Sequence, residues 1–216
     1  MTDLRYTLLG DGSSDQALIP ILTWLLLEHG VQSAIQPTWA DLGRLRERPR
    51  TLEQRIVVSL DLYPCDLLFV HRDAERLGYQ SRRAEILQQL EGASLSCATP
   101  PAVCVVPVRM QEAWLLFDEQ AVRGAAGNPE GKQALDMPPV AGLEDLPNPK
   151  HDLHRILRQA SGLAGRRRQN FDPHRHARRV TVLASDFSPL RVLPAFRLLE
   201  DDVATTVRDR GWDVLS

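Results

Sequence analysis

Asp66-Leu67-Leu68-Phe69-Val70-His71 is a continuous apolar run between two polar residues, and Arg72-Asp73-Ala74-Glu75 follows it directly. So short a run, apolar throughout rather than alternating, suits a strand covered on both faces, as in a parallel sheet. Val103 to Val108 (VCVVPV) is a second such run, although Pro107 marks an edge or an end. Leu4 to Leu9 (LRYTLL) is a third, stopped by Gly10, and Ser33 to Trp39 is a weaker strand.

Helical patterns lie between these runs. Ser13 or Ser14 can cap a helix from about Asp15 to His29 that stops at Gly30. Thr51 can cap a helix to about Tyr63, with Leu52, Ile56, Val57 and Leu60 at helical spacing. Ser81 to Leu90 and Glu112 to Arg123 read as helices, as do His151 to Ala160, Pro173 to Ser185 and Pro189 to Asp209. Arg44 to Pro49 is a charged loop, and Gly124 to Pro149, rich in Gly and Pro, reads as a long irregular excursion. Strand–helix alternation predicts an α/β fold with a mainly parallel sheet flanked by helices.

The chain has 216 residues, 43% of them apolar and 25% charged, which excludes disordered, collagen-like and coiled-coil classes. That length is one domain, expected as a core over residues 1–125 with a helical C-terminal extension over 126–216 packed on it. Cys65, Cys97 and Cys104 form no C-x-x-C pair, so a reducing, cytoplasmic setting is expected. The longest apolar run, Ala17 to Leu27, is broken by Pro20 and Thr23, so no membrane span is expected, and Met1 to Arg5 does not open a signal peptide.

Three acidic clusters follow the strands, where parallel sheets carry their sites. Asp11 and Asp15 follow the first, Asp73 and Glu75 the central one, and Glu112 the Val103–Val108 run. Five carboxylates converging on one sheet edge would repel one another, and bound Mg²⁺ or Mn²⁺ is the natural compensation. Asp15 also suits a helix cap and Glu112 a helix N-terminus. An acidic pair at the exit of a buried strand suits packing poorly.

Leu8-Leu9-Gly10-Asp11-Gly12-Ser13-Ser14-Asp15, continuing into Ala17–Leu22, resembles the first motif of TOPRIM (topoisomerase–primase) domains, nearest to OLD-type nucleases. Phe69-Val70-His71-Arg72-Asp73-Ala74-Glu75 resembles their second motif, an acidic pair after a hydrophobic strand. Val106 to Leu116 resembles a segment of uncharacterised bacterial TOPRIM-like proteins, several from phage-defence loci. The resemblance spans roughly residues 4–125, with Asp11 where the family usually has Glu and Asp-x-Glu where it has Asp-x-Asp. It implies a TOPRIM-like, Rossmann-like catalytic core and metal-dependent cleavage of nucleic acid, in anti-phage defence. Asp73 and Glu75 would be the primary metal ligands, Asp11 a ligand or general base, and Asp15 a second-metal or outer ligand, with Glu112 completing the site. Arg72 and Arg109 would neutralise a transferring phosphoryl group, or else pair with the neighbouring acids. The same resemblance admits a non-catalytic effector or regulatory module docking on an ATPase partner. A homodimer is left open.

Charge is uneven. Lys150 to Arg179 carries nine Lys/Arg against two Asp, a net of +7 in a chain of formal charge −2. Arg166, Arg167, Arg168, Arg175, Arg178 and Arg179 can track a DNA or RNA backbone with Phe171 for stacking, or form a solvated helix face. Lys150 ends the Pro-rich loop and can reach the acidic site. His151, His154, His174 and His176 lack a strong zinc spacing.

Overall fold

The computed structural model describes residues 3–214. Strands β1 (Leu4–Leu9), β2 (Ile35–Trp39), β3 (Leu67–His71) and β4 (Ala102–Val105) form one sheet in the order β2-β1-β3-β4, every neighbouring pair parallel. Helices α1 (Ile19–Glu28), α2 (Leu52–Leu62), α3 (Tyr79–Ser94), α4 (Glu119–Ala125), α5 (Pro149–Ala160), α6 (Gly165–Gln169), α7 (Pro173–Leu183) and α8 (Pro194–Arg210) complete the chain. The architecture is α/β with helices on both sheet faces, compatible with a Rossmann-like fold. Among the described residues no helix is long and apolar enough to cross a membrane.

Two cores follow from the pleat of the strands. Tyr6, Leu8, Leu67, Phe69, Val103 and Val105 point to one face, against α1 and the helices after residue 118. Leu9, Leu68, Val70 and Cys104 point to the other, against Ile56 of α2 and Ile86 and Ala93 of α3. Successive residues of β3 thus serve opposite cores, which is why that strand is apolar throughout. Each such Leu or Phe contributes about 1.5–3 kcal/mol on full burial. Edge-to-face pairs lock the first core: Tyr6 with Phe69 at 5.1 Å and Trp114 with Phe196 at 5.4 Å between centroids. The C-terminal segment shares this core, since Leu153, Ile156, Phe196 and Leu199 pack with the sheet residues.

Local chemistry moved several expected boundaries. The helix expected from Asp15 begins as a 3-10 turn, Ser13–Leu18, and becomes α-helical only at Ile19. Pro20 is responsible, because its ring is accommodated in the first turn of an α-helix and not inside one. The strand expected over residues 103–108 ends at Val105, two residues before Pro107. The segment expected as one helix from Glu112 is a 3-10 turn, Gln111–Leu115, followed by α4, whose start is set by Asp118 accepting from the Ala121 N–H at 3.0 Å. The last expected helix begins as a 3-10 turn, Ser188–Val192, before α8, which Gly211 ends at φ 64°. Within the expected loop, residues Val140–Asp145 form a 3-10 turn, and the short helix α6 lies in a stretch read only as basic. Thr51 caps α2 as expected, accepting from Gln54 N–H at 3.1 Å.

Candidate active site at the carboxyl ends of the strands

The chain leaves β1 for β2 on one side and leaves β3 for β4 on the other. The carboxyl ends of β1 and β3 therefore flank a topological switch point, where an open parallel sheet leaves a crevice. Past its last pair the β3 segment continues beside the β4 segment: Ala74 N–H donates to Pro107 O at 2.9 Å and Glu75 N–H to Arg109 O at 3.3 Å. This brings the three acidic segments together. Asp11, Asp15, Asp73, Glu75 and Glu112 all line one cleft of about 310 Å³.

The inner part of the site is a clamp around two carboxylates. Asp15, only 4% exposed, accepts from Gly12 N–H at 3.0 Å and from the Gln111 side-chain amide at 2.8 Å. Gln111 also donates its backbone N–H to Asp73 Oδ1 at 2.8 Å, so one residue holds both acids. Its own Oε1 is buried with no partner in the chain. A side chain on Gly10 would collide with Asp15, its Cβ falling 2.8 Å from the Asp15 Cβ. His71 donates Nδ1–H to Val105 O at 3.0 Å, which turns Nε2 toward Asp73 Oδ1 at 3.6 Å and Asp15 Oδ1 at 4.0 Å. Burial pushes the Asp73 carboxyl up to about 6, with Glu112 and Asp15 adding to the rise and His71 and the Gln111 N–H opposing it.

The outer carboxylates are held by cations. Asp11 meets Arg55 Nη1 at 2.6 Å and Arg72 Nε at 3.1 Å. Glu75 lies 3.8 Å from Arg82 Nη2, and Glu112 lies 3.5 Å from Lys150 Nζ. Arg82 is itself anchored, donating Nε–H to Asp73 O at 2.8 Å. Glu75 and Arg109 both adopt left-handed backbone, φ 49° and 60°. For a non-glycine residue that conformation costs about 1–2 kcal/mol, and such strain concentrates at functional loops.

The predicted cations divide into two groups. Lys150, Arg175 and Arg178 line a second cleft of about 340 Å³ that shares Ser14, Gln111, Glu112 and Lys150 with the first. Arg166, Arg167, Arg168 and Arg179 are exposed and line neither cleft. Arg72 lies in the acidic cleft, and exposed Arg109 faces a separate hollow beside Glu75. The histidines do not gather as a zinc group: His154 and His174 stack edge to face at 4.2 Å, His176 binds Ala125 O at 2.7 Å, and His151 is exposed.

Sequence reasoning missed His71, Gln111, Arg55 and Arg82. The signal for His71 was a polar residue ending a buried strand, and for Gln111 its place beside Glu112. Arg55 and Arg82 lie on α2 and α3, with nothing in their local sequence to tie them to the site.

The donor chemistry suits a hard divalent cation. Asp15 and Asp73 supply carboxylate oxygens, the hard donors such an ion takes. Among the described residues no three His, Cys, Asp or Glu side chains stand gathered to hold an ion as they are, because the outer acids are drawn to arginines. No protein-family model, no curated protein and no solved structure matches this chain.

Proposed function

We propose that this chain is a Mg²⁺- or Mn²⁺-dependent nuclease, a phosphodiester hydrolase with a TOPRIM-like core. The observation that carries the reading is the meeting of five carboxylates in one cleft at the switch point, continuous with a second cleft lined by Lys150, Arg175 and Arg178. Asp73, Asp15 and Glu112 would hold the ion, with Asp11 and Glu75 joining from the rim. A bound divalent ion supplies charge neutralisation at a phosphoryl oxygen and acidifies water. The chain's own residues do the rest. Burial holds the metal-free Asp73 carboxyl up at about 6, and the charge it carries above that pH is what a bound cation would offset. Gln111 fixes Asp73 and Asp15 relative to each other. Lys150 and Arg72 draw a phosphate toward the acids, and the exposed arginines of α6 and α7 add backbone contacts. The phage-defence setting rests on the resemblance of the three motifs alone.

A second reading is a non-catalytic effector or regulatory module on an ATPase partner, and one observation favours it: Asp11 and Glu75 are engaged by Arg55, Arg72 and Arg82. Calorimetric titration of Mn²⁺ and Mg²⁺ into wild type and Asp73→Ala separates the two. The nuclease reading expects saturable binding that the variant loses, and divalent-dependent cleavage of DNA or RNA lost with it. No saturable binding to wild type, with or without a non-cleavable oligonucleotide, refutes it and leaves the binding module.

A further inference from the structure

The second cleft holds a histidine pair to which the nuclease reading gives no role, beside the cations it uses only for general backbone contact. His154 from α5 and His174 from α7 meet there across a stretch that includes α6. Arg175 follows His174 in the first turn of α7 and Arg178 stands one turn on, Lys150 enters from the start of α5, and Ser14 comes from the 3-10 turn after β1. Among the described residues Glu112 is the one carboxylate in the lining, and Lys150 lies 3.5 Å from it. Arg178 is bound to a neutral group, Gln16 Oε1, at 2.5 Å, and Arg175 has Asp172 at 3.5 Å outside the cleft. Three permanent cations thus face one carboxylate, with two imidazoles beside them. The volume, about 340 Å³, falls at the lower end of small-ligand sites, about 300–1,000 Å³.

We propose that this cleft binds the terminal phosphate of a nucleic-acid strand whose neighbouring phosphodiester lies at the carboxylates. The inference rests on the nuclease reading and names the kind of end the enzyme engages. A phosphomonoester carries about −1.5 to −2 near neutral pH, against −1 for an internal diester, so it matches the excess charge of the lining better. Arg175 and Arg178 offer planar donor arrays for its oxygens, and Lys150, Ser14 and the two histidines offer further donors. The histidine environment agrees. Burial first, and then His174, Lys150 and Arg158, push His154 down to about 4 against an opposing pull from Asp172, so near neutral pH its ring is an uncharged hydrogen-bonding group. The residues shared by the two clefts make them one path, so a strand end held at His174 passes Glu112 and Lys150 on the way to Asp73.

The test uses the full chain in EDTA, so that no metal contributes. Short single strands with a 5′-phosphate, a 3′-phosphate or only hydroxyl ends are titrated by calorimetry, with inorganic phosphate as competitor. One of the phosphorylated strands should bind at least about tenfold tighter than the hydroxyl strand, as one added charge-assisted contact gives. His174→Asn/Arg178→Gln, both at exposed positions of α7, should abolish that preference with an unchanged melting curve. Equal affinity for phosphorylated and hydroxyl ends overturns the proposal. So does a preference that survives in the double variant, or inorganic phosphate binding as tightly as the phosphorylated strand, which would make the site one for free phosphate. Its failure is distinct from that of the nuclease reading: loss of Mn²⁺ binding at Asp73 sinks catalysis, while loss of end preference sinks only this site.

Discussion

Asp73→Asn should stabilise the metal-free protein at neutral pH and, on the proposed reading, abolish divalent-ion binding. Burial beside Glu112 and Asp15 raises the Asp73 carboxyl from 3.8 to about 6. A carboxyl raised by folding keeps its proton in the folded chain where the unfolded chain has already released it. Stability is therefore fullest below about pH 4 and declines as pH climbs through 6. With the side chain 28% exposed, the site is dry enough for that difference to count at full weight, about 3 kcal/mol at about 1.4 kcal/mol per tenfold change in proton affinity. Asn keeps an oxygen for the Gln111 N–H, now at 2.8 Å, and has no charge to bury. For a chain of this length a gain of that size raises Tm by about 6–12 °C. Thermal melts of both proteins in EDTA measure it. The gap should be about 3 kcal/mol at pH 7.5 and shrink to about 1 kcal/mol at pH 4.5. Saturating Mn²⁺ should close or invert it, since an ion at 100 times its Kd adds about 2.7 kcal/mol to wild type alone. A variant no more stable than wild type at pH 7.5 would falsify the account of Asp73 as a carboxylate held under electrostatic stress for function.

Other substitutions probe the same frame. Gly10→Ala should cost about 1–3 kcal/mol in urea denaturation and weaken Mn²⁺ binding together, because its Cβ must displace Asp15; a silent substitution would mean the β1 loop yields freely. Glu75→Gly relieves a left-handed residue worth about 1–2 kcal/mol while loosening the unfolded chain by about 0.5–1 kcal/mol. Its stability should therefore rise slightly or hold while divalent binding weakens, and a marked loss of stability would show the Arg82 contact to dominate. Thr51→Ala removes the cap of α2 and should cost about 1 kcal/mol by chemical denaturation, leaving Mn²⁺ binding intact.

The strands were legible because their chemistry is local. A run such as Leu67–Val70 has to serve two cores at once, and no amphipathic element has that composition. The acidic residues were legible for a related reason, since carboxylates directly after buried strands must emerge at one sheet edge. Boundaries were harder, because single residues override the hydrophobic period: Pro20 delays α1, Pro107 shortens β4, and Asp118 starts α4 where the pattern alone suggests continuity. The partners of the acids were illegible. Arg55 reaches Asp11 from 44 residues away, and His154 meets His174 across α6, relations set by packing rather than by spacing.

Those unforeseen partners explain how five acids coexist in one cleft. The two inner carboxylates are satisfied by neutral donors, Gln111 and the Gly12 N–H, with His71 facing both. Exposed Asp11 and Glu75 are paired with Arg55, Arg72 and Arg82, and buried Glu112 with Lys150. The two kinds of restraint respond differently to a ligand. Exposed ion pairs are worth about 0–1 kcal/mol each, so on the proposed reading Asp11 and Glu75 would be released cheaply to a divalent ion and the freed Arg72 could turn to a phosphate. The Gln111 clamp is buried, and breaking it costs about 1–3 kcal/mol, so Asp15 and Asp73 stay where they are. A site arranged this way keeps its inner geometry fixed and lets its rim exchange one set of charges for another. On the proposed reading, that is what a metal-assisted reaction on a polyanion asks of it, and the left-handed backbone of Glu75 and Arg109 lies at the same edge.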